Sequence, residues 1–143
     1  MRMLGLDVGS KTIGVALSDP MGITAQAFTV IRRATPEKDF DAIRNIVRAY
    51  DVGRIVVGLP LNMNGSVGPA AQAVEEFCRA LRGKVEIPVV TWDERLSTVM
   101  AERAMLEADV SRKKRRRVID KAAAALILQG YLDHHLNDHH PGE

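Results

Sequence analysis

Apolar positions follow two different rhythms along this chain, and the change from one to the other divides it into elements. Met3 to Val8 is almost wholly apolar, the pattern of a strand covered on both faces. Ile13 to Ser18 supplies a second strand across Gly9-Ser10-Lys11-Thr12, a hairpin-type connection, and Ala27 to Ile31 a third after the turn signal Asp19-Pro20-Met21-Gly22. From Pro36 the spacing becomes helical: Phe40, Ile43, Ile46, Val47 and Tyr50 share a face, with Thr35 as cap and Pro36 in the first turn, so 36–50 reads as a helix. Arg54 to Gly58 reads as a buried strand. A loop through Leu59 to Ser66 then leads to a helix over 69–81 with Ala73, Val74, Phe77, Cys78 and Leu81 inward. Pro88 to Trp92 is the fifth strand, followed by a helix over 96–108, a strongly basic connection and a last helix over 118–136.

The order βββαβαβαα predicts an α/β fold: a five-stranded mixed sheet, three antiparallel strands followed by parallel crossovers, flanked by helices. Composition narrows this without redirecting it. With 143 residues, 46% hydrophobic and 27% charged, the chain reads as one globular domain over 1–136 and a flexible tail over 137–143. No apolar run reaches the length of a membrane span, and the N-terminus lacks a secretory pattern, so the expected location is the cytoplasm. The single cysteine, Cys78, cannot form an internal disulfide and falls on an apolar helical stripe, which reads as core. His134, His135, His139 and His140 lie at or near the polar tail, where solvated side chains are the ordinary outcome. A net charge of +2 says little about partners, so only the distribution of charge is informative.

Candidate chemistry begins at Asp7, which closes an apolar strand immediately before a glycine turn. A carboxylate there is costly unless it is paired, hydrogen-bonded or bound to a cation. It either accepts backbone N–H groups of the Gly9-Ser10 turn or serves chemistry, and this strand alone leaves both open. Asp93 and Glu94 follow the fifth strand, at the carboxyl end where functional groups of open sheets gather. Neighbours on an extended segment point to opposite sides, so at most one of the two shares a pocket with Asp7, and Glu94 is the preferred one. Both also suit the N-terminal end of a following helix with no chemistry at all. Asp120 stands at the expected start of the last helix, ahead of an alanine run that lets the helix approach the sheet closely. Three carboxylates converging from three segments would repel one another unless cations lay between them. Oxygen ligands at that density suit Mg²⁺ or Mn²⁺, and two such ions about 4 Å apart serve phosphodiester hydrolysis.

Asp7, Glu94 and Asp120 in this order on this frame resemble the RNase H-like superfamily of metal-dependent nucleases. Four segments sharpen the resemblance to the bacterial YqgF family, also called RuvX: Leu6 to Ala16, Val57 to Asn62, Asp93 to Thr98, and Ser111 to Lys114 through Ile119-Asp120. The similarity runs from about residue 3 to Asp133. It implies a nuclease that trims the 5′ end of the small-subunit ribosomal RNA precursor, with Holliday-junction resolution as the alternative, and it implies that Asp7, Glu94 and Asp120 hold the metal ions. The family often has Asp where this chain has Asn64, which weakens any catalytic duty for that loop.

Around the acidic residues lie groups suited to phosphate. Arg112, Lys113, Lys114, Arg115, Arg116 and Arg117 form the chain's clearest concentration of charge, directly before Asp120, and Lys11 and Arg95 are expected to add contacts. Asn62 and Ser66 offer an amide and a hydroxyl in a loop that either touches a phosphate backbone or is an ordinary turn. Trp92 is the one aromatic near the site, so base stacking is not expected as the main mode of binding. The expected partners are structured RNA, including pre-rRNA and ribosomal particles, or branched DNA, with the chain a monomer or a homodimer. Two rival classes remain: an actin-like ATP-binding module, which shares the Asp-x-Gly hairpin but closes two such domains around its nucleotide, and a non-catalytic RNA-binding factor.

Overall fold

A computed structural model describes residues 1–96 and 112–138 of the chain, and the side chains of 1–96 and 122–135. Five strands form one sheet: β1 (Arg2–Val8), β2 (Thr12–Ser18), β3 (Ala25–Arg32), β4 (Val52–Leu59) and β5 (Val89–Asp93). Their order is β3-β2-β1-β4-β5; β1 runs antiparallel to β2 and β2 to β3, whereas β1 with β4 and β4 with β5 are parallel. The mixed sheet is the expected one. β1 to β4 extend one or two residues past their expected ends, because ladder bonds continue beyond the apolar run, whereas β5 begins at Val89 and not at the expected Pro88, which has no amide to donate, and ends one residue later at Asp93.

Helices α1 (Pro36–Ala49) and α2 (Pro69–Arg82) cover one face. Thr35 caps α1 as expected, its hydroxyl accepting from the Lys38 amide at 3.2 Å. In α2 the inward alanine is Ala71 rather than Ala73, since 71, 74 and 78 fall on one stripe at helical spacing. Leu4, Leu6, Ile13, Val15, Ile55 and Val57 point into this layer and pack with Phe40, Ile43, Val74, Phe77, Cys78 and Leu81.

Helix α3 (Arg112–Asp138) lies on the opposite face, where Ala123, Ala124, Ile127, Leu128, Tyr131 and Leu132 pack on Ala16, Val56 and Trp92. It begins six residues before the expected Val118, so the basic run is helical and not a connection. Ser111, directly before it in the sequence, is an N-cap type of residue, but six like charges read as a break when only local repulsion is considered. At its other end α3 continues two residues past the expected Leu136. The helix expected over 96–108 falls mostly on residues outside those described. Leu96 itself ends a short 3-10 turn over Glu94–Leu96.

Side chains fix the register of α3 at three places. Gln129 accepts from the Ala25 amide at 2.8 Å and donates to the Ile23 carbonyl at 3.1 Å. Arg54 donates to the Tyr131 hydroxyl at 2.8 Å. The third is at Gly5, where a Cβ would come within 2.7 Å of Leu128 Cβ and 3.0 Å of the Ala124 carbonyl oxygen. The alanines therefore do bring the helix against β1, and only a glycine beneath them allows it.

Candidate active site

Strand alternation decides which carboxylates share a face. On β1, Leu4, Leu6 and Val8 belong to the α1–α2 layer, so Met3, Gly5 and Asp7 belong to the α3 side. On β5, Val89 is in the first layer and Val90 and Trp92 in the second, which carries Glu94 to the α3 side and Asp93 away from it. Leu6 pairs with Val57 and Gly58 with Trp92, so the ends of three parallel strands lie side by side.

Glu94 is only 4% exposed. Its carboxylate reaches across Gly58, where a Cβ would stand 2.8 Å from Glu94 Oε1 and 2.4 Å from Ile127 Cδ1. Gly58 thus empties the space in which Glu94 sits, beside β1, which carries Asp7 one residue from its end. Asp7 is half-buried, and the turn after it is closed by the Gly9 amide donating to the Thr12 carbonyl at 2.9 Å. Desolvating a carboxylate as deeply as Glu94 costs several kcal/mol unless matched groups or a cation compensate. The chemistry of Asp7 and Glu94, oxygen donors at the ends of β1 and β5, fits a hard divalent cation, with Gly58 making room for the Glu94 carboxylate.

Asp120 lies on α3, but its side chain falls outside those described, as do those of Arg112 to Arg117. Lys11 is exposed in the β1–β2 turn. The other expected contacts are occupied within the protein. Asn62 Nδ2 donates to Ser66 Oγ at 2.9 Å, and the Ser66 hydroxyl and amide donate to Asn64 Oδ1 at 2.6 and 3.0 Å. Asn64 thus acts there as an acceptor, a role that Asp would fill equally well. Arg95 is bound to Asp93, its Nη2 donating to Oδ2 at 2.7 Å, and this bond holds the Asp93 carboxyl below its ordinary pKa. Trp92 is buried, edge-on to Tyr131 at 6.2 Å, and is inaccessible for base stacking. His134 lies 5.3 Å from Trp92, while His135 stacks on Tyr131 at 3.9 Å; His139 and His140 lie outside the described residues.

Sequence reasoning missed Arg33. It donates to the Gly9 carbonyl at 2.8 Å, pairs with buried Asp39 at 3.3 Å and lies 5.5 Å from the Phe77 ring, so it pins the turn after Asp7 to both α1 and α2. No local pattern announces it, because its partners come from separate segments. Gly58 was also missed, although a glycine ending an apolar strand is a visible signal of close approach.

Comparisons with known proteins agree with the fold. The family model described as "RuvX: Holliday junction resolvase" matches residues 1–134. Relatives named "Putative pre-16S rRNA nuclease" include one from Desulforamulus reducens, 59% identical over 93% of this chain and 97% of its own length. Another, from Symbiobacterium thermophilum, is 61% identical over 93% and 92%. Among solved structures, Thermus thermophilus RuvC in complex with a Holliday junction substrate superposes with a TM-score of 0.61 at 12% identity, over 95% of this chain and 96% of that one. The Fowlpox virus resolvase with Holliday junction DNA gives 0.54 at 10% identity, over 95% and 99%. At such identities the likeness is one of fold, and the fold is RNase H-like. Matched over nearly all of its length, with the order of strands that its sequence anticipated, the chain belongs to the RuvX family, also called YqgF.

Proposed function

We propose that this chain is a divalent-metal-dependent nuclease that hydrolyses phosphodiester bonds in the precursor of 16S ribosomal RNA, trimming its 5′ end. The observation that carries the reading is the delivery of the buried Glu94 carboxylate across Gly58, to the face and end of the sheet that also hold Asp7. Curated relatives at 59% and 61% identity supply the substrate. Helix spacing supports Asp120 as the third member. It precedes Ala124 by four residues, about 6 Å of helix, and Asp7 follows Gly5 by two, about 6.6 Å of strand. Since Ile127 lies at Gly58 while Tyr131 reaches Arg54, α3 runs antiparallel to β4, so one turn back from Ala124 leads toward Asp7.

Asp7, Glu94 and Asp120 would hold one or two Mg²⁺ or Mn²⁺ ions. Bound there, such ions supply Lewis acidity at the phosphoryl group and a water nucleophile at neutral pH. The chain's own part is to hold the carboxylates rigidly: Arg33 fixes the turn beyond Asp7, and Gly58 with Ile127 confines Glu94. Lys11 and the cations of 112–117 provide sequence-independent attraction for the phosphate backbone. Among the described residues no helix is long and apolar enough to cross a membrane, and we place the activity in the cytoplasm.

A second reading, resolution of Holliday junctions, is favoured by the description of the matching family and by the fold shared with RuvC. One experiment separates the two: cleavage of a 16S precursor and of a four-way DNA junction, with Mg²⁺, with Mn²⁺ and with chelator. The expected result is metal-dependent trimming of the RNA. It should be lost in Asp7→Asn and Glu94→Gln by more than the roughly 10–100-fold that loss of an outer partner costs. Cutting of the junction alone would make the second reading the function, and undiminished cleavage by Asp7→Asn would remove the acidic site.

A further inference from the structure

Asp93 and Arg95 flank Glu94, and their contacts run in a direction that substrate binding does not explain. Asp93 Oδ1 accepts from the Arg95 backbone amide at 2.9 Å and from Arg95 Nε at 3.1 Å. Asp93 Oδ2 accepts from Nε at 3.1 Å and from Nη2 at 2.7 Å. The remaining nitrogen, Nη1, donates to the Met63 carbonyl at 3.3 Å, on the loop that joins β4 to α2. At Gly65 a Cβ would lie 3.2 Å from Nη1 and 3.5 Å from Nη2, so the guanidinium is laid against that backbone. Gly65 also has φ +87°, which a side chain would strain.

The loop is built to receive this contact. The Asn62 amide donates to the Ser66 carbonyl at 3.0 Å and the Gly65 amide to the Asn62 carbonyl at 2.8 Å, while the side chains of Asn62, Asn64 and Ser66 bond to one another. Leu59 and Asp93 are the last paired residues of the β4–β5 ladder. Arg95 therefore continues, through a side chain, a connection that the backbone ladder has just ended. Glu94 lies inside that connection, in the 3-10 turn that opens with its own residue.

Energetics argue that the purpose is geometric. The side chains of Arg95 and Asp93 are 31% and 20% exposed, and ion pairs of that kind contribute about 0–1 kcal/mol to folding. Their bidentate geometry, by contrast, restricts orientation strongly. An arginine held on Nε, Nη1 and Nη2 keeps two of its five N–H donors for a phosphate.

We propose that Asp93 and Arg95 are a positioning pair: they tie the 62–66 loop to the turn that carries Glu94 and so hold Glu94 over Gly58, and Arg95 is not a phosphate ligand. The activity readout rests on the nuclease reading above. Two other readouts do not. In Arg95→Ala, amide hydrogen exchange at Gly65 and Ser66 should accelerate while the β1–β4 ladder stays protected. Affinity for a labelled RNA duplex should keep the salt slope of the wild type, because the variant still engages every phosphate. With the RNA precursor, kcat should fall roughly 10–100-fold with KM within about twofold. Arg95→Lys should fail to restore kcat, since a point charge cannot span Asp93 and Met63 together. Asp93→Ala should lose as much, and the double variant no more than either single one, as expected for residues acting as a unit.

Unchanged exchange at Gly65 and Ser66 would overturn the proposal. So would a salt slope lowered by about one unit with affinity restored by Arg95→Lys, the signature of a phosphate ligand. If the wild type cut no nucleic acid at all, the nuclease reading would fall, and exchange would still decide whether the pair holds the loop.

Discussion

Asp93 and Glu94 are chain neighbours with opposite environments, and the cause is strand alternation: one side chain goes to the α3 face over a glycine, the other to a guanidinium at the rim. Gly58→Ala tests the importance of that glycine. The new methyl would meet Ile127, whose end can shift, and Glu94 Oε1, whose position matters, so stability should fall by only about 1–3 kcal/mol. Cleavage should fall roughly 100-fold, the cost of misplacing a reacting group by about 1 Å. A urea midpoint and kcat measured on the same variant separate the two effects. At Asp19, far from the site, the amides of Thr24, Ile23 and Met21 lower the carboxyl pKa below the ordinary 3.8, the Thr24 bond contributing most. A carboxyl depressed on folding stabilises the fold above its unfolded pKa, and that stabilisation is lost as pH falls through the folded pKa. The urea midpoint of the wild type should therefore exceed that of Asp19→Asn near neutrality, and the gap should close below about pH 3.8.

At the scale of elements, α3 is positioned by what lies beneath it. Gly5→Ala would put a Cβ against Leu128 Cβ and the Ala124 carbonyl, neither of which is a flexible end. It should destabilise by about 1–3 kcal/mol in urea. Adding Leu128→Ala should not rescue it, because the nearer clash is with a Cβ that alanine retains. The N-terminal half-turns of α3 are unfavourable by themselves: six consecutive cations at a helix N-terminus with no acidic residue in the first turn oppose the helix dipole and one another. A polyanion there relieves both penalties. Replacing Lys113, Lys114 and Arg115 by Gln, a helix former of similar propensity, should leave thermal stability unchanged or raised. The salt slope of RNA binding should fall by about 0.7–0.9 for each phosphate no longer neutralised.

At the scale of the molecule, the mixed sheet gathers its chemistry at one end. Three parallel strands, β1, β4 and β5, finish together, with Asp7 near the end of β1 and the 62–66 loop and the turn with Glu94 in the segments leaving β4 and β5. The antiparallel strands serve this end indirectly, since β3 leads into Arg33, whose grip on the Gly9 carbonyl closes the far side. The remote end of the sheet is stabilised by local turns such as that at Asp19, so a defect there should lower stability with little change in kcat.

The amino-acid sequence by itself determined the order of the described elements, the antiparallel-then-parallel sheet and that at most one of Asp93 and Glu94 shares a face with Asp7. All three follow from periodicities of two and 3.6 residues, which are local. That Glu94 is the one turned to the α3 face depends on packing over Gly58. The sequence also marked Asp7, because a carboxylate ending an apolar strand breaks a pattern that burial otherwise enforces. What only tertiary structure decided depends on partners distant in the chain. The bonds of Arg95 to the Met63 carbonyl and of Asn62 to Ser66 join residues whose proximity no local pattern announces, and the sequence alone leaves the 62–66 loop open between a phosphate contact and an ordinary turn. The basic run reads as a connection when local repulsion is the only term. It is helical because packing farther along α3, over Gly5 and Gly58, outweighs repulsion at its start.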